Sequence, residues 1–334
     1  MFCRMNNNGA DDIIALTPSN VYDTQKMLFL LHSAKMNDFS IEVIGLNKPF
    51  TFLSKITLLK EYLEKLPKNS NPIICFTDAY DVFYIDSLNV IKDKFLSSGK
   101  DIIWSVEKWY SHQLKADKSF YEDLAAATNS QYKYINTGTY IGYKDSLLQL
   151  FTEIDNSIKD KVFLSELQKE GWNLSLDAVD QTIISHFIAT NWQKYNMKLD
   201  YECDIYYIPT VDWDNINKYI NNDYVNIITG KRSSIVHVPW KERYGHILIK
   251  LFEYKYTIKN VLDNKRYSWE SYSIAFLKYG IMDAFGKGTY EQVDTHTFIA
   301  NFGGKRHLLI FNSDYTKFTS TRFNDNSYVT GHIL

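Results

Sequence analysis

The chain has 334 residues, of which 45% are hydrophobic and 16% aromatic, so it can build one large α/β domain and a smaller second one. Its 37 basic and 39 acidic residues give a net charge of -2, which excludes the broad basic surface of a nucleic-acid-binding protein. Any anionic substrate must therefore be met locally, by a metal or by a few basic side chains.

The cysteines and the first residues of the chain bear on location. Cys3, Cys75 and Cys203 are widely spaced and odd in number, which fits neither a disulfide framework nor a zinc pattern and favours a reducing compartment. The chain begins without the apolar segment of a signal peptide, and no stretch approaches ~18 apolar residues, so no membrane span is predicted. We therefore expect a cytoplasmic protein.

Predicted strands and helices alternate along the first two thirds of the chain. Apolar runs predict strands at 13–16 and 41–46. Helical periodicity and capping residues predict four helices, from Asn20 or Asp23 to about Lys35, and over 54–66, 87–96 and 145–158. This alternation is typical of a mostly parallel central sheet with flanking helices.

The segment Asn71–Asp86 organises the chain. Ile73–Phe76 is a continuous apolar run, as in a strand buried on both faces, and Asp78 and Asp81 follow it directly. Ligands of open parallel sheets bind beyond the carboxyl ends of the strands, so this segment predicts a site. One aspartate here could simply cap a helix or make a turn. Two carboxylates this close repel each other unless a cation lies between them.

Two later segments add polar candidates. A strand over 101–106 leads to Glu107 on a loop with two aromatic residues. Tyr134–Tyr143 alternates β-forming residues with small ones, and its two glycines indicate that backbone passes close to a neighbour. That neighbour is either a ligand or a tightly packed strand, and the sequence leaves both readings open.

Two more segments carry a carboxylate pair and a histidine. Asp177 and Asp180 head a helical pattern within 176–189. Asp177 is expected to cap that helix, whereas Asp180 lies a turn later and could point into a cleft. His237 lies in a predicted strand over 234–238, and it would act as a ligand only beside suitable partners.

These segments, in this order, resemble the glycosyltransferase domain of the procollagen lysyl hydroxylases from Ile13 to about Tyr244. The matching motifs are S-K-I-T-L-L-K-E-Y-L-E (54–64), F-T-D-A-Y-D-V (76–82), W-S-V-E (104–107), Y-I-N-T-G-T-Y-I-G-Y (134–143), D-A-V-D-Q (177–181), K-L-D (198–200) and V-H (236–237). The resemblance implies a GT-A fold that uses a UDP-sugar donor and Mn²⁺. It also implies that Asp78, Asp81 and His237 are the metal ligands.

The resemblance implies further roles on the donor and acceptor sides. Tyr80 is similar to an aromatic residue that stacks on uracil, and the other donor contacts it implies are Thr17, Lys55, Asp78 and Lys241. On the acceptor side it implies a carboxylate that orients the acceptor, with Asp180 as first choice. The second candidates for that role are Asp177, Asn136 and Glu107. The loop H-V-P-W-K after the histidine is shorter and bulkier than in the family.

The reaction implied is glucose transfer from UDP-glucose to galactosyl-hydroxylysine in a collagen-like protein, with retention at the anomeric carbon. The alternatives are galactose transfer to hydroxylysine or to another glycan, and a sugar- or nucleotide-binding module without turnover. The enzyme is favoured because all three metal-ligand candidates and the D-Q segment are still present.

The end of the chain lies outside the resemblance. We predict a first domain over 1–248 and a second over 249–334, which starts with a connecting helix at 250–263. From Trp269 onward, short alternating runs separated by turns such as F-G-K-G and N-D-N are typical of β-hairpins. They predict a small antiparallel β domain without chemistry, which covers the catalytic domain or pairs two subunits as a homodimer.

Overall fold

The computed structural model divides the chain into two compact units, Met1–Lys255 and Tyr256–Leu334. The boundary predicted after residue 248 stays a prediction. The structure describes residues 12–24, 26–110, 114–160, 165, 167–169, 171, 180–209, 223–239, 247–248, 251–252, 262, 264–277, 281–284, 286–292, 296–325 and 327–334. Asp177, Lys241 and most of the connecting helix predicted at 250–263 lie outside these residues.

A six-stranded sheet forms the centre of the first unit. Its strands are β1 (Ile13–Pro18), β2 (Glu42–Ile44), β3 (Ile73–Thr77), β5 (Ile102–Glu107), β6 (Tyr134–Tyr143) and β7 (Met197–Leu199), in the spatial order β2-β1-β3-β6-β5-β7. The pairs β1–β2, β1–β3 and β5–β7 are parallel, and β6 is antiparallel to both of its neighbours. The predicted α/β architecture with parallel strand pairs is confirmed. All five residues of β3 are buried, so the strand that precedes Asp78 is anchored on both faces.

The helices of this unit are α1 (Leu28–Met36), α2 (Ser54–Lys65), α3 (Leu88–Ser97), α4 (Lys118–Ala125), α5 (Lys144–Ser157) and α6 (Asp180–Asn191). α1 begins later than predicted, because the Asp23 carboxylate accepts the Lys26 N–H (3.0 Å) in a separate turn before it. α4 was not predicted, since its buried face consists of only Tyr121 and Ala125. Among the described residues, no helix combines the length and apolar character that crossing a membrane requires.

A second, three-stranded sheet lies beyond the end of β3. It consists of β4 (Val82–Tyr84), β8 (Tyr206–Tyr207) and β9 (Ile235–His237), in the order β4-β9-β8. β4 and β9 are antiparallel, and Val82 is the partner of His237. The Val238 N–H also donates to the Asp81 carbonyl (2.8 Å). The pairing therefore brings His237 next to Asp81.

The hydrophobic core of the first unit lies between the central sheet and its helices. Strand residues such as Cys75, Ile103 and Ile141 are fully buried against helix residues such as Leu30 and Phe95. Cys75 and Cys203 are free, buried thiols. This packing holds the ends of β3, β5 and β6 in fixed positions.

The second unit is an eight-stranded antiparallel sheet in which each strand pairs with the next along the chain. Its strands are β10 (Arg266–Trp269), β11 (Tyr272–Phe276), β12 (Ile281–Asp283), β13 (Lys287–Gln292), β14 (Thr297–Phe302), β15 (Lys305–Phe311), β16 (Lys317–Arg322) and β17 (Tyr328–His332). A bridge between Tyr267 and Ile333 joins the first strand to the segment after the last, so the sheet is barrel-like. Its core is aromatic and fully buried at Tyr267, Phe276 and Phe298. The predicted antiparallel β domain is confirmed.

Candidate active site

Asp78, Asp81 and His237 form one cluster in which one ligand atom of each residue lies within 4.8 Å of the others. His237 Nε2 is 3.5 Å from Asp81 Oδ1 and 3.9 Å from Asp78 Oδ2. The two aspartates follow β3, and the β4–β9 pairing supplies the histidine. The structure thus brings together the three residues that the sequence selected, and their role as metal ligands stays a prediction.

The chemistry of this cluster fits a divalent cation. The His237 side chain is only 3% exposed, and in the described part of the chain neither of its ring nitrogens has a hydrogen-bond partner. Buried polar atoms without a partner are costly and rare. Two carboxylates and one imidazole are ligands that Mn²⁺ accepts. A cation between them would satisfy the histidine and relieve the repulsion between the carboxylates.

A bulge in β6 brings backbone against this cluster. The register of β5 against β6 shifts, so that Ser105 pairs with Asn136 while Trp104 pairs with Tyr140. The carbonyl of Gly138, inside the bulge, accepts the Asp78 N–H (2.7 Å). A Cβ atom at position 138 would lie 2.3 Å from His237 Cε1 and 2.7 Å from Asp78 Oδ2. Only glycine leaves room for the imidazole and the carboxylate at this position.

The second glycine of β6 has a different neighbour. A Cβ atom at Gly142 would lie 2.9 Å from the Asp101 carbonyl, 3.1 Å from Ile102 Cγ1 and 3.1 Å from Leu147 Cγ. These atoms belong to the adjoining strand and helix. The packing interpretation therefore holds for Gly142, whereas Gly138 lies against side chains of the candidate site, and its approach to a ligand stays a prediction.

Neighbouring charges shift the protonation equilibria of the cluster. Burial raises the pKa of Asp78, the Lys55 ammonium opposes this shift, and the Asp81 carboxylate adds to it. Burial would lower the pKa of His237, but the Asp81 and Asp78 carboxylates outweigh burial and raise it. The cluster thus attracts positive charge, either as a proton on the imidazole or as a metal ion.

Lys55, in the first turn of α2, extends the cluster toward a third carboxylate. Its Nζ lies 2.6 Å from Asp78 Oδ1 and 3.3 Å from Asp180 Oδ2. Burial would lower the pKa of Lys55, but the charges of Asp180 and Asp78 outweigh burial and raise it. Lys55 is therefore an ammonium that bridges two carboxylates. Its expected contact with the donor stays a prediction.

Two residues that the sequence did not select form hydrogen bonds to Asp180 and Glu107. Thr137 Oγ1 donates to Asp180 Oδ2 (3.3 Å), and Gln181 Nε2 donates to Glu107 Oε1 (3.2 Å). Both stand directly beside selected residues in the motifs N-T-G and D-Q. Their positions next to Asn136 and Asp180 in the sequence were the available signal. This signal is weak, because only the backbone structure shows whether neighbouring polar side chains point into the same cleft.

Glu107 is the last residue of β5 and not part of the predicted loop, and it belongs with Asn136 to one hydrogen-bond network. Glu107 Oε1 also accepts a bond from Asn136 Nδ2 (3.0 Å), and Asn136 Oδ1 accepts the Gly138 N–H (2.9 Å). Burial raises the pKa of Glu107 to about 7, against the effect of the amide donors of Asn136 and Gln181. The network connects Glu107 to the bulge that faces the cluster, so Glu107 and Asn136 are adjacent to the site in the structure.

Two donor-side candidates lie near the end of β1. Thr17 is fully buried, and its hydroxyl donates to the Thr77 carbonyl (2.8 Å). The Tyr80 hydroxyl lies 2.8 Å from Ser19 Oγ, and the Tyr80 side chain is partly exposed. The Thr17 hydroxyl is thus committed to holding β1 against β3, whereas Tyr80 keeps an accessible surface. Their roles toward a nucleotide stay predictions.

A comparison with protein families identifies the family of the chain. The family model described as PLOD GT domain matches residues 13–202, more than half of the chain. The chain belongs to this family. The resemblance inferred from the motifs is thereby confirmed, and the matched region of this PLOD GT domain contains Lys55, Asp78, Asp81 and Asp180.

The curated relatives carry related names. A procollagen-lysine,2-oxoglutarate 5-dioxygenase of Drosophila melanogaster is 27% identical over 197 residues, which cover 55% of this chain and 26% of the relative. A multifunctional procollagen lysine hydroxylase and glycosyltransferase of Caenorhabditis elegans is 26% identical over 181 residues, 48% of this chain and 24% of the relative. The match thus spans about a quarter of the length of these relatives.

His237 lies beyond the region that the PLOD GT domain model matches. Its place in the cluster rests on the register of β4 against β9, which is independent of the family match. The matched region thus contains Asp78 and Asp81, and strand pairing places His237 beside them.

Proposed function

We propose that this PLOD GT domain is a Mn²⁺-dependent retaining glycosyltransferase of the GT-A type. It transfers glucose from UDP-glucose to galactosyl-hydroxylysine in a collagen-like protein. The observation that carries the proposal is the Asp78, Asp81 and His237 cluster at the carboxyl end of β3, where open sheets of this kind bind ligands. The procollagen-lysine names of the relatives support the acceptor.

The chain's contribution on the donor side is to hold its three ligands in place. Mn²⁺ bound by Asp78, Asp81 and His237 would supply Lewis-acid stabilisation of the leaving diphosphate. The bulge at Gly138 and the end of β3 hold Asp78, and the β4–β9 pairing holds His237. Such fixed ligands favour binding, because little has to be ordered when the ion arrives.

The donor nucleoside is proposed to lie against Tyr80. A partly exposed aromatic ring between Asp78 and Asp81 in the sequence can stack on a uracil base while both carboxylates face the diphosphate. Thr17 would support this region by holding β1 against β3, through its hydrogen bond to the Thr77 carbonyl. Lys241 stays in the proposal as a phosphate contact.

On the acceptor side, Asp180 is proposed to orient the acceptor hydroxyl. In a retaining transfer the leaving diphosphate and the incoming hydroxyl share one face of the sugar, so the enzyme mainly holds them and stabilises positive charge at the anomeric carbon. The Lys55 ammonium lies 3.3 Å from Asp180 Oδ2, and the Thr137 hydroxyl donates to the same oxygen (3.3 Å), so both contacts hold this carboxylate in place. Asn136, Glu107 and Asp177 remain the further candidates for this role.

The test is UDP release measured with a panel of UDP-sugars, with Mn²⁺, Mg²⁺ or a chelator, and with hydroxylysine or galactosyl-hydroxylysine peptides. We expect release that requires Mn²⁺ and the galactosylated peptide, and that is fastest with UDP-glucose. Calorimetry that detects UDP binding without release from any donor would instead establish a non-catalytic module. Faster turnover with UDP-galactose and the unmodified hydroxylysine peptide would reassign the sugar and the acceptor.

The proposal extends to location and assembly. The cysteine pattern supports a cytoplasmic location, which fractionation of expressing cells would test. A homodimer formed through the second unit is proposed as well, and light scattering of the full chain and of a chain ending at residue 264 would test it. A monomer in both cases would remove the homodimer from the proposal.

A further inference from the structure

A continuous line of charged contacts joins the two sides of the candidate site. His237 faces Asp78 Oδ2 at 3.9 Å, Asp78 Oδ1 contacts Lys55 at 2.6 Å, and Lys55 contacts Asp180 at 3.3 Å. The two oxygens of Asp78 therefore serve different partners. One oxygen faces the histidine, and the other is bound to the ammonium.

The burial of these groups makes their charges strongly interdependent. The exposed fractions of the side chains are 11% for Lys55, 7% for Asp180 and 23% for Asp78. Charges this poorly solvated interact more strongly than charges at the surface. Removing any one charge must change the affinity of the cluster for a further cation.

The position of Lys55 is not explained by α2 itself. A helix N-terminus carries a partial positive charge, so a lysine in the first turn is electrostatically unfavourable. No acidic residue lies in the first turn of α2 to compensate it. The favourable partners of the ammonium are instead Asp78 and Asp180, which belong to two other elements.

We propose that Lys55 is a positioning residue that couples the metal-binding carboxylate Asp78 to the acceptor-side carboxylate Asp180. This inference rests on the proposed function, in that Asp78 is taken to bind the ion. Lys55 orients Asp180 through their 3.3 Å contact, and its positive charge lowers the affinity of the neighbouring cluster for a divalent cation. Lys55 thus lowers the affinity for the metal ion and at the same time holds the Asp180 carboxylate in one orientation.

The coupling has an unusual consequence for substitutions. Replacing Lys55 with an uncharged residue removes a positive charge beside two carboxylates, Asp78 and Asp180, so it should tighten metal binding while it impairs transfer. Replacing Asp180 with asparagine removes a negative charge and leaves Lys55 to Asp78 alone, so it should weaken metal binding. A lysine that only stabilised the fold, or only contacted the donor, would not produce these opposite signs.

The experiment is Mn²⁺ calorimetry without nucleotide on the wild type, Lys55→Met, Asp180→Asn and the double variant. We expect at least roughly tenfold tighter binding for Lys55→Met, since a unit charge several ångströms from a divalent ion contributes on this order even in bulk water, and burial strengthens the interaction. Asp180→Asn should bind more weakly than the wild type. The double variant restores the net charge, so its affinity should lie close to that of the wild type. Transfer should fall in all three variants.

Lys55→Arg is the matched control, because it keeps the charge. It should bind Mn²⁺ much like the wild type, although the larger guanidinium disturbs the orientation of Asp180 and lowers transfer. Circular dichroism establishes which variants fold. If Lys55→Met does not fold, the comparison of Mn²⁺ affinity between the wild type and Asp180→Asn tests the coupling.

The outcomes separate this inference from the proposed function. Unchanged or weaker Mn²⁺ binding by a folded Lys55→Met, or unchanged binding by Asp180→Asn, would overturn the coupling while the metal site stands. Absence of Mn²⁺ binding by the wild type would overturn the metal assignment itself, and the coupling with it.

Discussion

Substituting alanine for Gly138 tests the architecture of the site most directly. The new Cβ would lie 2.3 Å from His237 Cε1, whereas carbon atoms in contact lie about 3.5–4.0 Å apart. The imidazole or the β6 bulge must therefore move by more than about 1 Å. Metal sites tolerate ligand displacements of only ~0.2 Å. Mutation of residues that only orient the metal ligands already lowers metal affinity by ~10–100-fold. We therefore expect at least this loss of Mn²⁺ affinity in Gly138→Ala.

The assay pairs Mn²⁺ calorimetry with urea unfolding, and Gly142→Ala is the control. Both substitutions overpack the same strand, so each should lower the free energy of unfolding by roughly 1–3 kcal/mol. The three atoms nearest to a Cβ at position 142 are the Asp101 carbonyl oxygen and side-chain carbons of Ile102 and Leu147, and none of them belongs to the cluster. Gly142→Ala should therefore keep the Mn²⁺ affinity of the wild type.

Two results would refute this reasoning. Wild-type Mn²⁺ affinity in Gly138→Ala would mean that His237 is not a ligand, or that the bulge moves freely. An equal loss of Mn²⁺ affinity in both variants would mean that any strain in β6 disturbs the site. The contact between position 138 and His237 would then not be the cause of the loss in Gly138→Ala.

Three further predictions follow from the described contacts. Asp81→Asn should abolish Mn²⁺ binding with little change in unfolding free energy, since it removes a charge and no core volume; calorimetry and urea unfolding test this. Glu107→Ala should weaken Mn²⁺ binding through the Asn136–Gly138 bonds, whereas Glu107→Gln, whose amide oxygen can still accept them, should keep it. Burial and Arg322 lower the pKa of His307, so the folded second unit favours the neutral imidazole. Its stability is then fully present above the unfolded pKa of about 6.5 and falls at lower pH, by at most ~1.4 kcal/mol per unit. Thermal melts of the full chain between pH 7.5 and 5 should show this loss, and the same series on His307→Gln should be flatter.

The sequence predicted those elements whose patterns are unambiguous. β3 was expected because four apolar residues stand together, and α2 because its buried residues recur at helical spacing. The start of α1 was placed too early, because Asp23 can cap a turn as well as a helix. α4 was missed, because two buried residues among polar ones give too weak a periodicity. Local patterns thus predict the elements that have a clear hydrophobic periodicity. They do not predict a helix whose start depends on a turn or whose formation depends on packing against a neighbouring layer.

The residues of the candidate site could be selected from sequence, but their contacts could not. Asp78 and Asp81 were visible as a pair after an apolar strand, and His237 was selected by resemblance. That His237 lies beside Asp81 depends on the register of β4 against β9, which no local pattern specifies. Lys55 was expected to contact the donor, whereas its observed partners, Asp78 and Asp180, come from distant parts of the chain.

The two glycines of β6 show what a sequence pattern cannot distinguish. Residues four apart on a regular strand point to the same face, so a regular strand would place Gly138 and Gly142 against the same layer. The bulge breaks this equivalence: one step along β5, from Trp104 to Ser105, corresponds to the step from Tyr140 to Asn136 on β6. A bulge re-aims the residues within it, and here it turns Gly138 toward His237. Small side chains in a sequence thus reveal that something approaches closely, and only the strand register reveals that it is the candidate site.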